Sequence, residues 1–367
     1  MPEITRSRVL WLLCGAAFIG VVSIAVARVS AAPADDAQIC RKESGDTAIA
    51  ACGRAIASGR YQDRGLARIL SNRAFEYRRK GDDRAMDDYN EAIRVDPQYV
   101  HALIGRGYAW QDRHDYDRAI ADYSEAIRLD PDNVEAYNDR GTAWLGKREY
   151  DRAIIDFNAV IWLAPKNGDG YANRGVAWEL KDEPDRAIAD LDVAIELDPH
   201  DHVALNTRAV AWSNKGEKAR AIEDFGAAIR ANPKYALAYD GRGLAWRVLG
   251  DPARAIADFD AAIRLAPRVA SFRVNRAMAW SDKGEHDRAI ADYGAALRLR
   301  PNDADALYLR GLAKLQTGDA VGASADIAAA KEIDPNVETH RHGHRDASLP
   351  NAAKQLARLD CWIRTSA

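Results

Sequence analysis

Residues that commonly support chemistry are sparse in this sequence. His340, His342 and His344 alternate near the C-terminus, and imidazoles at this spacing can bind a metal ion. They lie beside Gly343 without a carboxylate-rich frame, so a flexible polar linker is the favoured interpretation and metal binding the alternative. No zinc-protease helix, nucleophile elbow, P-loop or paired CxxC motif occurs. We therefore predict no enzyme, no catalytic residue and no cofactor.

The cysteines suggest a different chemistry. Cys40 and Cys52 lie six residues before and after Asp46, which forms a turn signal with Gly45. If the flanking segments are antiparallel helices, the two sulfurs face each other, which favours a disulfide over two buried thiols. Such a bond is typical of an oxidising compartment. Cys361 has no obvious partner, so a free thiol and an intermolecular bridge both stay open.

An apolar segment near the N-terminus supports the same compartment. Residues 9–27 are uncharged and mostly apolar, and Arg6 and Arg8 precede them. This arrangement predicts either a signal peptide cleaved near residue 34, which we favour, or a retained membrane anchor. Either exports the remainder to the periplasm or envelope, with membrane contact through this segment alone.

Composition excludes two further classes of protein. The 367 residues carry 52 basic and 55 acidic side chains, a net charge of −3. Residues 1–34 hold three arginines and one glutamate, so cleavage would leave a net charge of −5. A nucleic-acid binder usually has a basic excess, which this chain lacks. Four cysteines are too few for a disulfide-dense miniprotein.

A regular repeat organises most of the chain. Eight prolines are each 34 residues apart, namely Pro97, Pro131, Pro165, Pro199, Pro233, Pro267, Pro301 and Pro335. Within one unit, Leu103, Gly107 and Trp110 have helical spacing, and so do Ala119 and Tyr123 after a short turn. Strand signals are absent from the sequence. Each unit is therefore predicted to be a pair of helices, and the fold to be all-α.

The period and its small, aromatic and proline positions resemble the tetratricopeptide repeat family. The resemblance implies an α-solenoid, a right-handed superhelix of helix-turn-helix repeats. On this basis we predict eight repeats over residues 67–337. A degenerate helix pair at 35–66 would precede them, and a His-rich linker with a capping helix would follow at 338–367.

Two charged columns depart from the usual family pattern. An arginine occupies one position of all eight first helices, and an aspartate one position of all eight second helices. A second arginine lies four residues before seven of these aspartates, from Arg84 to Arg288. We predict Arg–Asp–Arg clusters that join the helices of each unit, with separate solvated charges as the alternative. The representative pairs are Arg106 with Asp122, Arg140 with Asp156, and Arg174 with Asp190.

A column of six tryptophans, from Trp110 to Trp280, has two interpretations. Sugar stacking would need exposed rings. Core packing is favoured, because the column lies three residues after the small positions represented by Gly107, and exposed rows of tryptophan promote aggregation.

In solenoids of this family the first helices line a concave groove, and that geometry implies a set of groove residues. They are Arg68, Arg78, Arg79, Ile104, Tyr108, Asp112, Glu135, Asn138, Asp169, Val176, Asn206, Asp240, Leu244, Arg247, Met278, Tyr308 and Leu312. The groove is thus expected to be basic at its N-terminal mouth and acidic with apolar patches beyond it. A peptide with basic and apolar residues would fit there, unless the charges serve only solubility. The family's lysine and asparagine clamp for carboxylates is absent.

We therefore predict a non-enzymatic scaffold of the cell envelope that binds a partner protein or peptide, with no nucleic acid among its partners. Two alternatives come from other classes of protein. A carbohydrate- or cell-wall-binding solenoid would need exposed groove aromatics, for which Tyr108 and Tyr308 are the candidates. A metal-binding protein would use the tract from His340 to His344.

Overall fold

The computed structural model describes residues 35–338, which form 18 helices joined by short turns. In chain order they are α1 (Asp36–Lys42), α2 (Gly45–Ala57), α3 (Asp63–Arg79), α4 (Arg84–Val95), α5 (Val100–Asp112), α6 (Tyr116–Leu129), α7 (Val134–Gly146), α8 (Tyr150–Leu163), α9 (Gly168–Leu180), α10 (Pro184–Leu197), α11 (His202–Asn214), α12 (Lys218–Ala231), α13 (Ala236–Val248), α14 (Pro252–Leu265), α15 (Ala270–Asp282), α16 (His286–Leu299), α17 (Ala304–Gln316) and α18 (Ala320–Ile333). Between residues 35 and 338 there is no strand, and no helix is long and apolar enough to cross a membrane.

Some predictions concern parts of the chain outside these residues. The export segment at 9–27, the tract from His340 to His344, the capping helix and Cys361 all lie outside the described range.

Consecutive helices pack as pairs, from α1 with α2 to α17 with α18, and each second helix packs on the next first helix. The predicted all-α solenoid of helix pairs is confirmed. First helices of successive pairs are also in contact; examples are α3 with α5 and α11 with α13. These extra contacts place the first helices on the inner, concave side and the second helices on the outer side.

Glycines in the first helices let the two helices of a pair approach closely. A Cβ at Gly107 would lie 2.5 Å from the Tyr123 ring, and one at Gly141 would lie 2.6 Å from the Phe157 ring. Both rings are completely or almost completely buried. Any larger residue would displace the ring, so a small residue of the first helix meets a large residue of the second at the centre of these pairs. The large residue is aliphatic in two of them, Leu191 opposite Gly175 and Ile327 opposite Gly311.

The turns follow from local chemistry. Asp130 precedes Pro131 and has a non-helical backbone conformation, with φ −137° and ψ 86°. The proline ring disfavours the helical conformation in the residue before it. The side chain of Asn133 then caps α7 by accepting from the backbone N–H of Ala136 at 2.9 Å. Each second helix therefore ends at a fixed place, which maintains the repeat.

At the N-terminus, α1 and α2 are joined by a disulfide between Cys40 and Cys52, whose sulfurs lie 2.11 Å apart. Both cysteines are buried beside Ile69 of α3. Helix α3 begins at Asp63, four residues before the start predicted for the first repeat. The disulfide-linked pair therefore packs directly on the first repeat.

Candidate binding surface on the first helices

The arginine and aspartate columns form a repeated ion pair. Arg106 on α5 donates from Nε and Nη2 to the two carboxylate oxygens of Asp122 on α6, at 2.9 and 2.6 Å. The same two-bond geometry occurs in all eight pairs: Arg73–Asp88, Arg106–Asp122, Arg140–Asp156, Arg174–Asp190, Arg208–Asp224, Arg242–Asp258, Arg276–Asp292 and Arg310–Asp326. The aspartates are buried and the arginines are half-buried. These residues therefore join helices within the protein and are not available to a ligand.

Five of these arginines also reach the preceding pair. Nη1 of Arg106 donates to Asn90 of α4 at 2.9 Å, and Nη1 of Arg140 donates to Ser124 of α6 at 3.1 Å. Arg174, Arg208 and Arg276 make the corresponding contacts with Asn158, Asp192 and Asp260. One guanidinium thus connects three helices, which fixes both the pair and its stacking on its neighbour.

The predicted Arg–Asp–Arg cluster is wrong in its third member. Arg118 donates to Asp115, three residues before it, at 2.6 Å, and its guanidinium carbon lies 3.7 Å from the centre of the Trp110 ring. The other six arginines of this column also lie over the aromatic ring of their own first helix, at 3.7–4.7 Å: Arg84, Arg152, Arg186, Arg220, Arg254 and Arg288. Cation–π contact and a nearby carboxylate outcompete the more distant aspartate.

The tryptophans are half-buried and packed against the core. The Trp144 ring has Arg152 at 4.7 Å and Lys147 at 5.8 Å, and Lys147 also forms an ion pair with Asp117 of the preceding pair. These cations occupy the ring surface on which a sugar would stack. The geometry accordingly favours packing over carbohydrate binding.

Six predicted groove residues are buried and do not face an open groove, which corrects that part of the prediction. They are Ile104, Val176, Asn206, Asp240, Leu244 and Tyr308. The reason is that neighbouring first helices lie close enough for their side chains to bond across repeats. Asn173 donates to Asn138 at 2.8 Å, and Asn275 donates to Asp240 at 2.9 Å. A ligand on the concave side therefore meets fewer side chains than the repeat pattern suggests.

The remaining predicted residues keep access to solvent. Arg68, Arg79, Asp112, Glu135, Asp169 and Leu312 are exposed, whereas Arg78, Tyr108, Asn138, Arg247 and Met278 are half-buried. Three of the arginines form ion pairs: Arg78 with Asp112 at 3.0 Å, Arg79 with Glu76 at 3.6 Å and Arg247 with Asp282 at 2.5 Å. Exposed basic residues thus lie on α3, and exposed acidic residues lie on the next three first helices.

Phe75 on α3, which is not among the residues predicted from the sequence, is 46% exposed. Its ring centre lies 5.8 Å from the Arg78 guanidinium carbon and 5.9 Å from that of Arg79. Arg68, Phe75 and Arg79 are seven and four residues apart, which places them on one face of the helix. We call Arg68, Asn72, Phe75 and Arg79 the α3 stripe. The same spacing, applied to aromatic residues, would have identified Phe75.

A buried carboxyl group lies on α7, two first helices beyond α3. Burial raises the pKa of Asp139 on α7 to about 8, although hydrogen bonds from Tyr108 and Asn138 oppose the shift. Burial and the neighbouring Asp139 raise the pKa of the Tyr108 hydroxyl as well. The Arg78 guanidinium carbon lies 5.1 Å from the Tyr108 ring centre. Arg78, Tyr108 and Asp139 thus link α3, α5 and α7.

The cluster continues into the core through neutral hydrogen bonds. The Tyr123 hydroxyl donates to Gln111 Oε1, and Gln111 Nε2 donates to Thr142 Oγ1 at 3.3 Å. Within the described residues, no group of three or more histidine, cysteine, aspartate or glutamate side chains could hold a metal ion. The arrangement is suited to holding neighbouring first helices in register.

Comparison with known proteins agrees with this architecture. Sequence models of the family match it at residues 112–146 and 281–318 (TPR repeat) and at residues 210–270 (tetratricopeptide repeat). A search of curated proteins finds no match.

Three solved structures with a similar fold share little sequence identity with this chain. A tetratricopeptide repeat protein from Parabacteroides merdae has 21% identity and a TM-score of 0.55, over 67% of this chain and 98% of that one. The Cut9–Hcn1 hetero-tetramer of the APC/C has 15% identity and a TM-score of 0.57, over 88% of this chain and 62% of that one. The Pseudomonas aeruginosa protein PilF has 18% identity and a TM-score of 0.51, over 58% of this chain and 97% of that one.

Proposed function

Because the chain is a tetratricopeptide repeat protein, we propose that it is a non-enzymatic scaffold of the cell envelope that holds a segment of a partner protein on its concave surface. The observation that carries this proposal is the α3 stripe, where an exposed phenylalanine lies among arginines at the N-terminal end of the solenoid. Solvent-exposed apolar and charged side chains together are typical of a recognition surface.

The charges define the partner segment. Exposed Arg68 and Arg79 on α3 favour an acidic residue, whereas exposed Glu135 on α7 and Asp169 on α9 favour basic residues. An apolar side chain between them would contact Phe75. The partner segment is therefore acidic at one end, apolar next to it and basic beyond, lying across the first helices.

Location in the envelope rests on separate support. Residues 9–27 have the composition of an export segment, and the buried disulfide between Cys40 and Cys52 requires oxidising conditions to form. The disulfide lies in the pair that packs against α3. If the chain is exported, the disulfide can form and stabilise the helix pair that packs against α3.

A pull-down from an envelope extract tests the binding function. The bait is the full chain, compared with a variant that carries Phe75→Ser and Arg79→Glu and with a control that carries Arg94→Glu. Arg94 is an exposed arginine on α4, away from the stripe. A partner retained by the wild type and the control, but lost from the stripe variant, supports the proposal. Equal recovery by all three proteins contradicts it.

Cell fractionation tests the location. Trapping free thiols before lysis, followed by mass measurement, shows whether Cys40 and Cys52 are bonded in the cell and whether residues 1–34 have been removed. We expect an envelope fraction with bonded cysteines. A cytoplasmic fraction with both thiols free contradicts the envelope proposal without affecting the binding test.

A further inference from the structure

The outer side of the solenoid carries an apolar patch on α8. Trp162 is 79% exposed and Ile155 is 65% exposed, and both lie on the second helix of the third repeat. Residues seven apart share one face of a helix, about 10 Å apart along its axis. We call these two residues the α8 patch. It faces away from the concave surface.

The repeat shows that the solenoid does not require this patch. At the position of Trp162, the other seven second helices carry Arg94, Arg128, Glu196, Arg230, Arg264, Arg298 and Glu332. At the position of Ile155 they carry Asp87, Ala121, Ala189, Glu223, Ala257, Ala291 and Ala325. Two large apolar side chains in one repeat, at positions that are otherwise small or charged, point to contact with another molecule.

Other exposed apolar residues of the second helices do not form a comparable patch. Val321 of α18 is 84% exposed, but Ala325 and Ala328, four and seven residues after it, are small. Leu197, Leu265, Leu299 and Ile333 occupy one position at the ends of their second helices and are 39–46% exposed. They recur with the repeat and so belong to its regular construction. The α8 patch combines two large apolar side chains on one helix face, both more exposed than these four residues, and it occurs in one repeat, which separates it from the regular surface.

We propose that the α8 patch docks a short amphipathic helix of a partner protein. Its two side chains expose roughly 300 Å² of mostly apolar surface, judged from the usual areas of such residues. A stable interface with a second copy of this chain would need about 800 Å² on each side. A short helix, anchored by apolar residues three to seven positions apart, matches a patch of this size.

The charges beside the patch give the partner helix a direction. Arg128 on α6 and Glu196 on α10 occupy the position of Trp162 in the preceding and following pairs, and both are exposed. Arg128 forms an ion pair with Glu125 at 2.6 Å, but a surface pair of this kind is weak and exchanges readily. The partner helix therefore presents an acidic residue to Arg128, apolar residues to the patch and a basic residue to Glu196.

A display library of amphipathic helical peptides tests the proposal. In this library the apolar positions are fixed, and the residues at each end vary among Asp, Ser and Lys. Peptides that bind a Trp162→Arg variant are removed first, and the remaining peptides are then selected for binding to the full chain. We expect enriched peptides to be acidic at one end and basic at the other. Their affinity, measured by fluorescence anisotropy, should fall at least tenfold for Trp162→Arg and stay unchanged for a Leu299→Arg control.

A charge exchange makes the test sharper. Glu196→Lys should lower the affinity of the enriched peptide for the protein. Replacing the basic residue of that peptide with Glu should restore its affinity for the Glu196→Lys variant. Failure to enrich peptides, or enrichment without the charge order, overturns the proposal. Two further results also overturn it: sedimentation of the wild type as a dimer that Trp162→Arg dissociates, and binding to anionic lipid vesicles that Trp162→Arg abolishes. Equal thermal stability of the variants confirms that each one is folded.

Discussion

Arg174 and Asp190 form a two-bond ion pair that closes the fourth repeat. Nε and Nη2 of Arg174 donate to the carboxylate at 2.8 and 2.6 Å, while Nη1 donates to Asn158 of the preceding pair at 2.5 Å. Both members of the ion pair are mostly shielded from solvent. The arginine therefore couples the helices of one repeat to each other and to the neighbouring repeat.

Asp190→Asn should destabilise the protein. The amide keeps the shape of the side chain but removes the negative charge, so Arg174 loses one charge-assisted bond in a partly buried site. We expect a loss of about 2 kcal/mol in the free energy of unfolding, measured by urea denaturation.

The matched control for this variant is Asp185→Asn. Asp185 forms an ion pair with Lys215, but its side chain is largely exposed, so the loss should be under about 0.5 kcal/mol. If Asp190→Asn and Asp185→Asn have the same unfolding midpoint, the ion pair does not stabilise the repeat.

Gly294→Asp should stabilise the protein. Gly294 lies within α16, where a Cβ would be 3.8 Å from Nη1 of Arg310, and Asp260 binds Arg276 at the equivalent place. Gly294→Ala should add about 0.5–1 kcal/mol through helix propensity. The aspartate variant should exceed the alanine variant by about 0.5–1 kcal/mol, because it supplies the missing acceptor. An aspartate variant less stable than the alanine variant in urea denaturation would contradict this assignment.

The repeat period explains why the fold could be predicted. Each unit has to pack on a copy of itself, so residues that touch recur at the same position. Gly107 with Tyr123, and Arg106 with Asp122, are contacts of this kind. Similar residues recur at these positions through the chain because the packing of each unit requires them.

Features that vary between repeats could not be predicted in this way. Whether Val176 or Asp240 faces an open groove depends on how closely successive first helices approach. That distance is set partly by contacts such as Asn138 with Asn173, which recurs as Asp240 with Asn275 but not where other residues, such as Ala172 and Thr207, occupy the same positions. Arg118 is a related case. Its four-residue spacing from Asp122 allows an ion pair on one face of α6, but Arg118 contacts Trp110 and Asp115 instead.

Asp139→Asn should reduce the pH dependence of stability. The folded-state pKa of Asp139 is about 8, above its ordinary value of 3.8. Between about pH 4 and pH 8 the unfolded chain loses this proton while the folded chain keeps it, so the free energy of unfolding falls as pH rises, by up to about 1.4 kcal/mol per pH unit. In urea denaturation from pH 5 to 8, the free energy of unfolding of the variant should rise relative to that of the wild type.

The exposed Asp132 supplies the control for this titration. Asp132→Asn should leave the slope of stability against pH as it is in the wild type. A wild-type slope unchanged by Asp139→Asn would show that the carboxyl group is ionised in the folded protein at neutral pH.

Arg148→Gly should stabilise the turn between α7 and α8. Arg148 is exposed and has φ +64°, in the left-handed region, whereas the equivalent Gly216 has φ +86°. A residue with a Cβ costs about 1–2 kcal/mol there, and glycine's greater freedom in the unfolded chain offsets part of the gain. We expect about 0.5–1 kcal/mol more stability in thermal or urea denaturation, and a loss of about 1 kcal/mol for the reverse control, Gly216→Ala. The φ value would have no energetic consequence if Arg148→Gly were no more stable than the wild type.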